Sequence, residues 1–391
     1  MPRRSRRSPR LALRLLLPLV LLLVIPASPA HARLQTRGVA VDVIFGEPTS
    51  KAVADVDAAA DLGANTIRSA IQWAGLEPAE KGQYAGWYLD ALDAVVARAR
   101  ERHLKVMLTP VFTPCWASSG AAGLMSWLCT VTSIVPSLTI RPPATPHDYA
   151  DLMVFLAKRY GDDLAALEVW NEPNLPSFWN TASPAQDYAD MLKATYAAVK
   201  RVAPDLPVVA GALAGADVAF LEKLYDAGIA GSYDVLSLHP YNDGRAPEET
   251  IAEQFAHATF LQGLRKVRAT LRAHGDTHPV WLTEMGWNTS SQRGELWLDG
   301  VTPAQQAAYL TRALKMLDDP DSGIDFPTGA FVYRLRDVGS SLLDPQQNYG
   351  LQAHDGTAKP ALAAVRAVFT RLAATAPSGG SAAAATSPDA T

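Results

Sequence analysis

The chain has 391 residues, of which 48% are apolar and 19% are charged. This composition excludes disorder for most of the chain, and the length suits one α/β barrel with insertions or about two or three smaller domains. If the first 32 residues are removed with their six arginines, 29 Lys and Arg remain against 39 Asp and Glu, a net charge of −10. Such an acidic chain does not suit DNA or RNA, because their binding depends on Lys and Arg contacts to phosphate.

Residues 1–32 are predicted to be an export signal. They begin with arginines, continue through an apolar stretch at 15–25 and end in the small-x-small site Ala30-His31-Ala32. An uncleaved anchor is the alternative, but the stretch is shorter than the ~20 residues of a bilayer span and two prolines follow it. We therefore expect a secreted, extracellular protein with no membrane span after cleavage. Ser5-Arg6-Arg7 faintly resembles a twin-arginine signal, so the export route stays open.

After the signal, β-branched runs alternate with helical patterns, which is typical of βα units. In the first unit, Val53, Val56 and Ala60 share one helical face, and Gly63 is the expected helix stop. Strands are predicted at 38–45, 65–73, 105–112, 167–170, 207–213, 234–238, 280–283 and 329–333. Helices are predicted at 52–62, 88–103, 148–160, 183–202, 218–227, 249–274, 302 onwards and 360–373.

Eight strands, each followed by a helix, predict an α/β fold of the (β/α)₈ TIM-barrel type, with residues 33–375 as a single catalytic domain. A doubly wound open sheet is the alternative. It normally carries a G-x-G-x-x-G turn after its first strand, whereas this chain has Gly46-Glu47-Pro48 there. Residues 376–391, built from Ala, Ser, Gly, Thr, Pro and one Asp, are predicted to be a disordered tail.

Two further local patterns give testable expectations. Ser183-Pro184-Ala185-Gln186 and Thr302-Pro303-Ala304-Gln305 each predict a capping box at the start of a helix. Residues 113–145 depart from the βα repeat and are predicted to form a substrate-facing loop after the third strand. This loop holds Cys115 and Cys129, which are expected to form one disulfide in an oxidising compartment. No CxxC or HExxH spacing is present, so no metal is expected.

The chemistry is expected where strands end, because barrel enzymes carry their reacting groups at the C-terminal ends of strands. The fourth strand runs into Asn171-Glu172-Pro173-Asn174, and the seventh runs into Glu284-Met285-Gly286-Trp287. Strands four and seven face each other across the barrel mouth, so two carboxyl groups can flank one bond. Glycoside hydrolysis needs such a pair, one group to protonate the leaving oxygen and one to attack the anomeric carbon.

The two motifs, Val-Trp-Asn-Glu-Pro-Asn at 169–174 and Trp-Leu-Thr-Glu-Met-Gly-Trp at 281–287, resemble those of the retaining glycoside hydrolases of clan A. This clan includes the cellulase-like family 5 and the family 39 endoglycosidases. The resemblance implies that Glu172 is the acid/base, that Glu284 is the nucleophile and that Asn171 binds the sugar 2-hydroxyl. Retention also implies carboxyl groups about 5 Å apart.

The same resemblance implies several substrate-binding residues. Arg68, near the end of the second strand, corresponds to a clan arginine close to the nucleophile, and a structural ion pair is the alternative. His239-Pro240-Tyr241 corresponds to a His-x-Tyr arrangement that contacts the catalytic carboxylates. Trp116, Trp287 and Tyr333 lie near strand ends and offer aromatic faces for a sugar ring. Many clan members have Trp where this chain has Tyr333, so the shape of the sugar site is left open.

We therefore predict an exported, monomeric retaining glycosidase that cleaves β-glycosidic bonds in a polysaccharide or oligosaccharide without a cofactor. A non-catalytic carbohydrate-binding barrel is the first alternative, but it would lack one of the two glutamates. A metal-dependent barrel hydrolase is the second, but it would need His and Asp ligands at several strand ends, where only His239 is so placed. The sugar and the linkage do not follow from the residues.

Overall fold

A computed structural model describes residues 34–41, 48–131, 135–252, 259–294 and 299–375. The predicted export signal and the predicted tail lie outside these ranges, as does most of the turn after the first strand. Among the helices of the described ranges, none is both long enough and apolar enough to cross a membrane.

Eight parallel strands form a closed barrel in which each strand pairs with the next and the eighth pairs with the first. This closed order confirms the predicted (β/α)₈ fold, since a doubly wound sheet would have two open edges. In chain order the strands are Thr36–Ala40 (β1), Thr66–Gln72 (β2), Lys105–Val111 (β3), Leu164–Glu168 (β4), Val208–Ala214 (β5), Val235–His239 (β6), Val280–Met285 (β7) and Pro327–Val332 (β8).

At least one helix follows every strand and returns the chain to the start of the barrel. The helices are Thr49–Leu62 (α1), Trp73–Leu76 (α2), Gly86–Glu101 (α3), Leu124–Val131 (α4), Pro136–Thr139 (α5), Pro146–Tyr160 (α6), Pro184–Val202 (α7), Val218–Asp226 (α8), Phe260–Ala273 (α9), Pro303–Leu317 (α10) and Pro360–Thr375 (α11).

The interior of the barrel is packed with side chains and is not a pore. Met107, Ala166, Val209, Val235 and Phe331 form one buried cluster inside it. Because the centre is filled, a substrate can be bound only where the strands end and the loops begin.

Two predicted boundaries are wrong in ways that bear on the site. β4 ends at Glu168 and not at position 170, because Trp170 has a φ of 68°, in the left-handed region and outside the extended range of a regular strand. The helix predicted from Glu249 begins at Phe260. Residues 249–252 are not helical, and 253–258 lie outside the described ranges.

One predicted capping box forms and the other does not. Thr302 accepts a hydrogen bond from the backbone of Gln305, whose side chain bonds back to Thr302, as predicted. Ser183 makes no side-chain cap hydrogen bond. The side chain of Gln186 donates along the helix to Asp190 at 3.0 Å.

The segment 113–145 contains two short helices, α4 and α5, and carries the cysteine pair. Cys115 and Cys129 form a disulfide with their Cα atoms 5.6 Å apart. Cys115 packs with Val135 and Leu138 in a small apolar cluster separate from the main core. The disulfide therefore ties α4 to the residues that leave β3.

Candidate active site

Glu172 and Glu284 meet at the C-terminal end of the barrel. Glu284 is the fifth residue of β7, and Glu172 follows β4 by four residues. Glu172 has a φ of 46°, and its backbone N–H donates to the carbonyl of Ala212 at 3.0 Å, which turns its side chain toward the barrel axis. An oxygen of each carboxylate and a ring nitrogen of His239 lie within 4.8 Å of one another.

Arg68 in β2 donates hydrogen bonds to three side chains, two at the mouth of the barrel and one at the end of β4. Its Nη1 donates to Glu284 Oε1 at 2.5 Å, its Nη2 donates to Asn171 Oδ1 at 3.0 Å, and its Nε donates to Glu168 Oε2 at 2.7 Å. The guanidinium is 3% exposed. Arg68 therefore fixes the nucleophile candidate and the neighbouring amide in one arrangement.

His239 and Tyr241 contact the two glutamates from β6 and the residues just after it. His239 Nδ1 lies 3.0 Å from Glu172 Oε1 and 3.7 Å from Glu284 Oε2, and its Nε2 lies 3.1 Å from the Thr283 hydroxyl. The Tyr241 hydroxyl donates to Glu284 Oε2 at 2.6 Å. Each oxygen of Glu284 thus has its own hydrogen-bond donor, which orients the carboxylate.

These contacts decide the ionisation of Glu284. Burial alone raises the pKa of a carboxyl group, but His239, Arg68 and the Tyr241 hydroxyl outweigh burial and bring the pKa of Glu284 below its ordinary value. Burial and the adjacent Glu284 carboxylate raise the pKa of Tyr241, so its hydroxyl stays a donor. Glu284 is therefore anionic at neutral pH, as a nucleophile must be.

The glutamates open onto a cavity of about 590 Å³, a size that suits small ligands. Its polar lining includes Arg68, Asn171, Tyr241, Asp243, Tyr333, Arg334, Gln346 and Tyr349. Phe112, Leu175 and Phe178 are among its apolar lining residues, and the backbone N–H of Leu175 donates to the carbonyl of Glu172 at 2.9 Å. The Phe112 and Phe178 rings lie nearly parallel, with centroids 6.3 Å apart.

The structure brings together most of the predicted site residues, but two aromatic ones lie elsewhere. Trp287 is 1% exposed, and its indole N–H donates to the carbonyl of Arg245. Trp116 packs edge-on against Trp73 and donates to the carbonyl of Glu77. Neither ring is among the residues that line the cavity, and both make packing contacts in this structure.

Among the described residues of the loop 113–145, none lines this cavity, so the cavity does not support its prediction as a substrate-facing loop. Phe112, which does line the cavity, has a φ of 68° and directly precedes this loop. Trp73 and Trp179 likewise belong to the buried core. Among the strand-end aromatic residues predicted from the sequence, Tyr333 is the one that lines the cavity.

Sequence reasoning missed several residues of the site. Glu168 is a fully buried carboxylate at the end of β4, and an ionisable residue within an apolar strand was the signal that pointed to it. Asp243 and Tyr349 line the cavity from loops after β6 and β8. No local sequence pattern indicated Asp243 and Tyr349, because they are far apart in the chain and meet at the cavity only in the folded protein.

Glu172, His239 and Glu284 are close enough to offer three ligands to a metal ion. However, Arg68 and Tyr241 already donate to the two oxygens of Glu284. A cation would have to compete with a guanidinium for this carboxylate. The donor set therefore suits proton transfer and nucleophilic attack better than metal binding.

A closed (β/α)₈ barrel with two facing carboxylates at the ends of its fourth and seventh strands defines the clan A class of glycoside hydrolase barrels. Residues 137–374 match the family described as Glycosyl hydrolases family 39. This match covers more than half of the chain, and the chain belongs to that family.

Similar proteins include two β-xylosidases. One, from Geobacillus stearothermophilus, is 27% identical over an alignment of 290 residues that covers 69% of this chain and 53% of that protein. The other, from Caldicellulosiruptor saccharolyticus, is 25% identical over an alignment of 285 residues that covers 69% of this chain and 54% of that protein. The chain thus spans about half the length of these relatives.

Solved structures share the fold. A family 39 glycoside hydrolase from Bacteroides cellulosilyticus WH2 superposes with a TM-score of 0.63 at 23% identity, over 88% of this chain and 64% of that one. A family 39 β-xylosidase from Caulobacter crescentus superposes with a TM-score of 0.59 at 20% identity, over 87% and 72% of the two chains.

Proposed function

We propose that this protein is a retaining β-glycosidase in which Glu172 is the acid/base and Glu284 is the nucleophile. The observation that carries the proposal is the spacing of the two carboxylates, which have oxygens within 4.8 Å of each other. Retaining enzymes need carboxyl groups roughly 5 Å apart, whereas inverting enzymes need roughly 6.5–9.5 Å to accommodate a water molecule.

In the first step, Glu284 attacks the anomeric carbon, and the bond from that carbon to the leaving oxygen breaks. Glu172 transfers its proton to the leaving oxygen, which departs as an alcohol, and the sugar becomes an ester of Glu284. Asn171 lines the cavity, and its Oδ1 accepts a hydrogen bond from Arg68. Its amide is suited to bind the 2-hydroxyl, where hydrogen bonds strengthen as the transition state forms.

In the second step, Glu172 is a carboxylate and acts as the base. It removes a proton from a water molecule, whose oxygen attacks the anomeric carbon, and Glu284 leaves as a carboxylate. Each of the two steps inverts the configuration of the anomeric carbon, so the product has the same anomeric configuration as the substrate. In the second step the negative charge returns to Glu284. Arg68 and Tyr241 stabilise that charge, because both already donate hydrogen bonds to the oxygens of Glu284.

For the substrate, we propose β-glycosidic O-linkages of an oligosaccharide or polysaccharide. The named activity of the relatives makes β-xylosides the first substrates to test. The aryl or sugar leaving group would lie against the apolar lining residues Phe112, Leu175 and Phe178, since Leu175 bonds to the backbone carbonyl of Glu172. Sizing the products from xylan and xylo-oligosaccharides separates cleavage at chain ends from cleavage within chains.

The test of the two roles uses an activated aryl β-xyloside with Glu172→Ala and Glu284→Ala. Loss of acid/base help typically slows a reaction by ~10²–10⁴-fold, but a good leaving group needs little protonation. Glu172→Ala should therefore still form the glycosyl-enzyme, accumulate it, and regain turnover with azide to give a product of unchanged anomeric configuration. Glu284→Ala should lose both steps, and any azide product should be inverted.

Glu77→Gln is a matched control, because Glu77 is buried near the same rim but bonds Trp73 and Gly82. Exchanged outcomes for the two alanine variants would reverse the roles. Undiminished hydrolysis by both variants would refute the proposal, as would an inverted first-formed anomer from the wild type by NMR.

We also propose that the protein is exported with cleavage after Ala32 and acts as a monomer. The arginine-rich start, the apolar stretch at 15–25 and the Ala30-His31-Ala32 site support the first part. Mass analysis of the mature N-terminus and size-exclusion chromatography with light scattering test the two parts. An N-terminus retained at Met1 or a dimer at micromolar concentration would contradict them.

A further inference from the structure

A second buried carboxylate shares Arg68 with Glu284. Glu168 is fully buried, and its Oε2 lies 2.7 Å from both Nε and Nη2 of Arg68. The Thr109 hydroxyl donates to the same oxygen at 2.9 Å. The opposite side of the guanidinium, Nη1, contacts Glu284. One cation is thus placed between two carboxylates inside the barrel.

A stabilising role alone does not account for this arrangement. One guanidinium and one carboxylate already form a neutral pair, and a further ionised carboxylate in a desolvated interior costs free energy. Burial raises the pKa of Glu168, but Arg68 and His239 outweigh burial and bring it below its ordinary value. Glu168 is therefore a second anion close to Glu284.

We propose that Glu168 is a positioning residue that acts on the nucleophile through Arg68. Glu168 binds one edge of the Arg68 guanidinium and offsets part of the positive charge of Arg68. Glu284 therefore remains anionic but is stabilised less strongly as an anion than it would be by Arg68 alone. A carboxylate paired with a full positive charge is a weaker nucleophile, because it loses that attraction as its own charge passes into the new bond. This inference rests on the proposed function of Glu284.

Other ionisable groups face the two carboxylates and also contribute to the pH profile. The profiles of wild type and variant are therefore compared with all of these groups present. Those that interact with Glu168 are Arg68, His239, Tyr149 and Tyr188. Those that interact with Glu284 are Arg68, His239, Tyr241, Glu172 and Tyr349. Each is present in both wild type and variant, so a difference between the two profiles reports on Glu168.

The experiment compares wild type with Glu168→Gln, which keeps the shape and one acceptor oxygen but removes the charge. The probe is 2,4-dinitrophenyl 2-deoxy-2-fluoro-β-xyloside, whose single inactivation step needs Glu284 as an anion and little acid help. Removing a like charge at this range shifts a pKa by roughly one unit or more. The acid limb of the inactivation rate should therefore move down by about one pH unit, and the plateau rate should fall by up to about tenfold.

An acid limb that stays in place, with or without a loss of rate, overturns the proposal, because a purely structural carboxylate would change no ionisation. Glu77→Gln is the matched control and should keep the wild-type limb. If Glu168→Gln does not fold, a ¹³C-carboxyl NMR titration of the wild type decides instead, and a Glu168 protonated near pH 6 overturns the proposal. A wild type that the probe does not inactivate and that cleaves no glycoside would refute the proposed function itself.

Discussion

Replacing Asp243 by Asn should stabilise the protein near pH 8 and leave its stability near pH 4 unchanged. Asp243 lines the cavity and pairs with Arg245 at 2.7 Å. Burial raises the pKa of Asp243 to about 6 from the ordinary 3.8, and Asp299 adds to this rise, while Arg245 offsets part of it. The protein environment therefore disfavours the anion, and Asn is a close stand-in for the neutral acid.

The sign and the pH window follow from linkage. Below about pH 4 the carboxyl group is protonated in both folded and unfolded chains, so it has no pH-dependent effect on the free energy of unfolding. Between about pH 4 and pH 6 the unfolded chain ionises and the folded chain does not, so wild-type stability falls as the pH rises. Above about pH 6 the penalty is complete and constant.

The magnitude follows from the size of the pKa rise. A rise of about two units corresponds to roughly 3 kcal/mol, and water in the open cavity reduces this to about 2 kcal/mol. Asp243 has a φ of 53°, a conformation that Asn adopts as readily as Asp, so the substitution adds no backbone strain. The variant should therefore melt roughly 4 °C higher near pH 8.

The assay is urea unfolding of wild type and Asp243→Asn near pH 4 and near pH 8. Asp57→Asn is the control of opposite sign. The slight burial of Asp57 raises its pKa, but hydrogen bonds from Arg98 and Arg102 bring it below its ordinary value. Asp57→Asn should therefore lose stability near pH 8, and it should show no gain there, since the stabilising effect of a lowered pKa is lost only as the pH falls below the ordinary 3.8. An Asp243→Asn gain that is equal at both pH values would refute the reasoning.

Three further outcomes are expected. Tyr241→Phe removes the donor 2.6 Å from Glu284 and should lower kcat/KM for an aryl β-xyloside by roughly 10–100-fold, and a loss below twofold would contradict this. Trp116→Ala should leave KM within twofold, because its ring lies outside the cavity, whereas a tenfold rise would return Trp116 to the substrate site. Replacing Cys115 and Cys129 by Ser should lower the free energy of unfolding by about 3 kcal/mol, because the disulfide no longer constrains the unfolded chain. Residues 113–145 should then be cleaved by protease faster than in the wild type, and an equal cleavage rate would contradict this.

The fold was predictable because its signals are local. Gly63 ends α1 in a left-handed conformation, as its position after an apolar helical face predicted. The apolar runs before Asn171 and Glu284 placed both residues at the mouth, since the strands of a barrel all end on one side. The contact of Arg68 with Glu284 was predicted from the family resemblance.

The direction of a side chain at a strand end was not predictable in the same way. Trp170, Glu172 and Phe112 all have positive φ values, and each redirects the chain within one residue. The sequence pattern therefore placed Trp116 and Trp287 near the mouth but could not show that their rings turn into the core. Glu168 was overlooked for a different reason, because candidate residues were expected where apolar runs end, and Glu168 lies within such a run.

The charges around His239 give one reason why a single arrangement can serve both steps of the proposed reaction. When Glu284 becomes an ester it loses its negative charge, and Glu172 becomes a carboxylate in the same step, so the net charge of the site does not change. His239 Nδ1 lies 3.0 Å from an oxygen of Glu172 and 3.7 Å from an oxygen of Glu284. The same ring nitrogen therefore faces whichever glutamate is the anion, and the negative charge can pass between them without any movement of the barrel. Such a preorganised site avoids the reorganisation that water would need when charge moves between two groups.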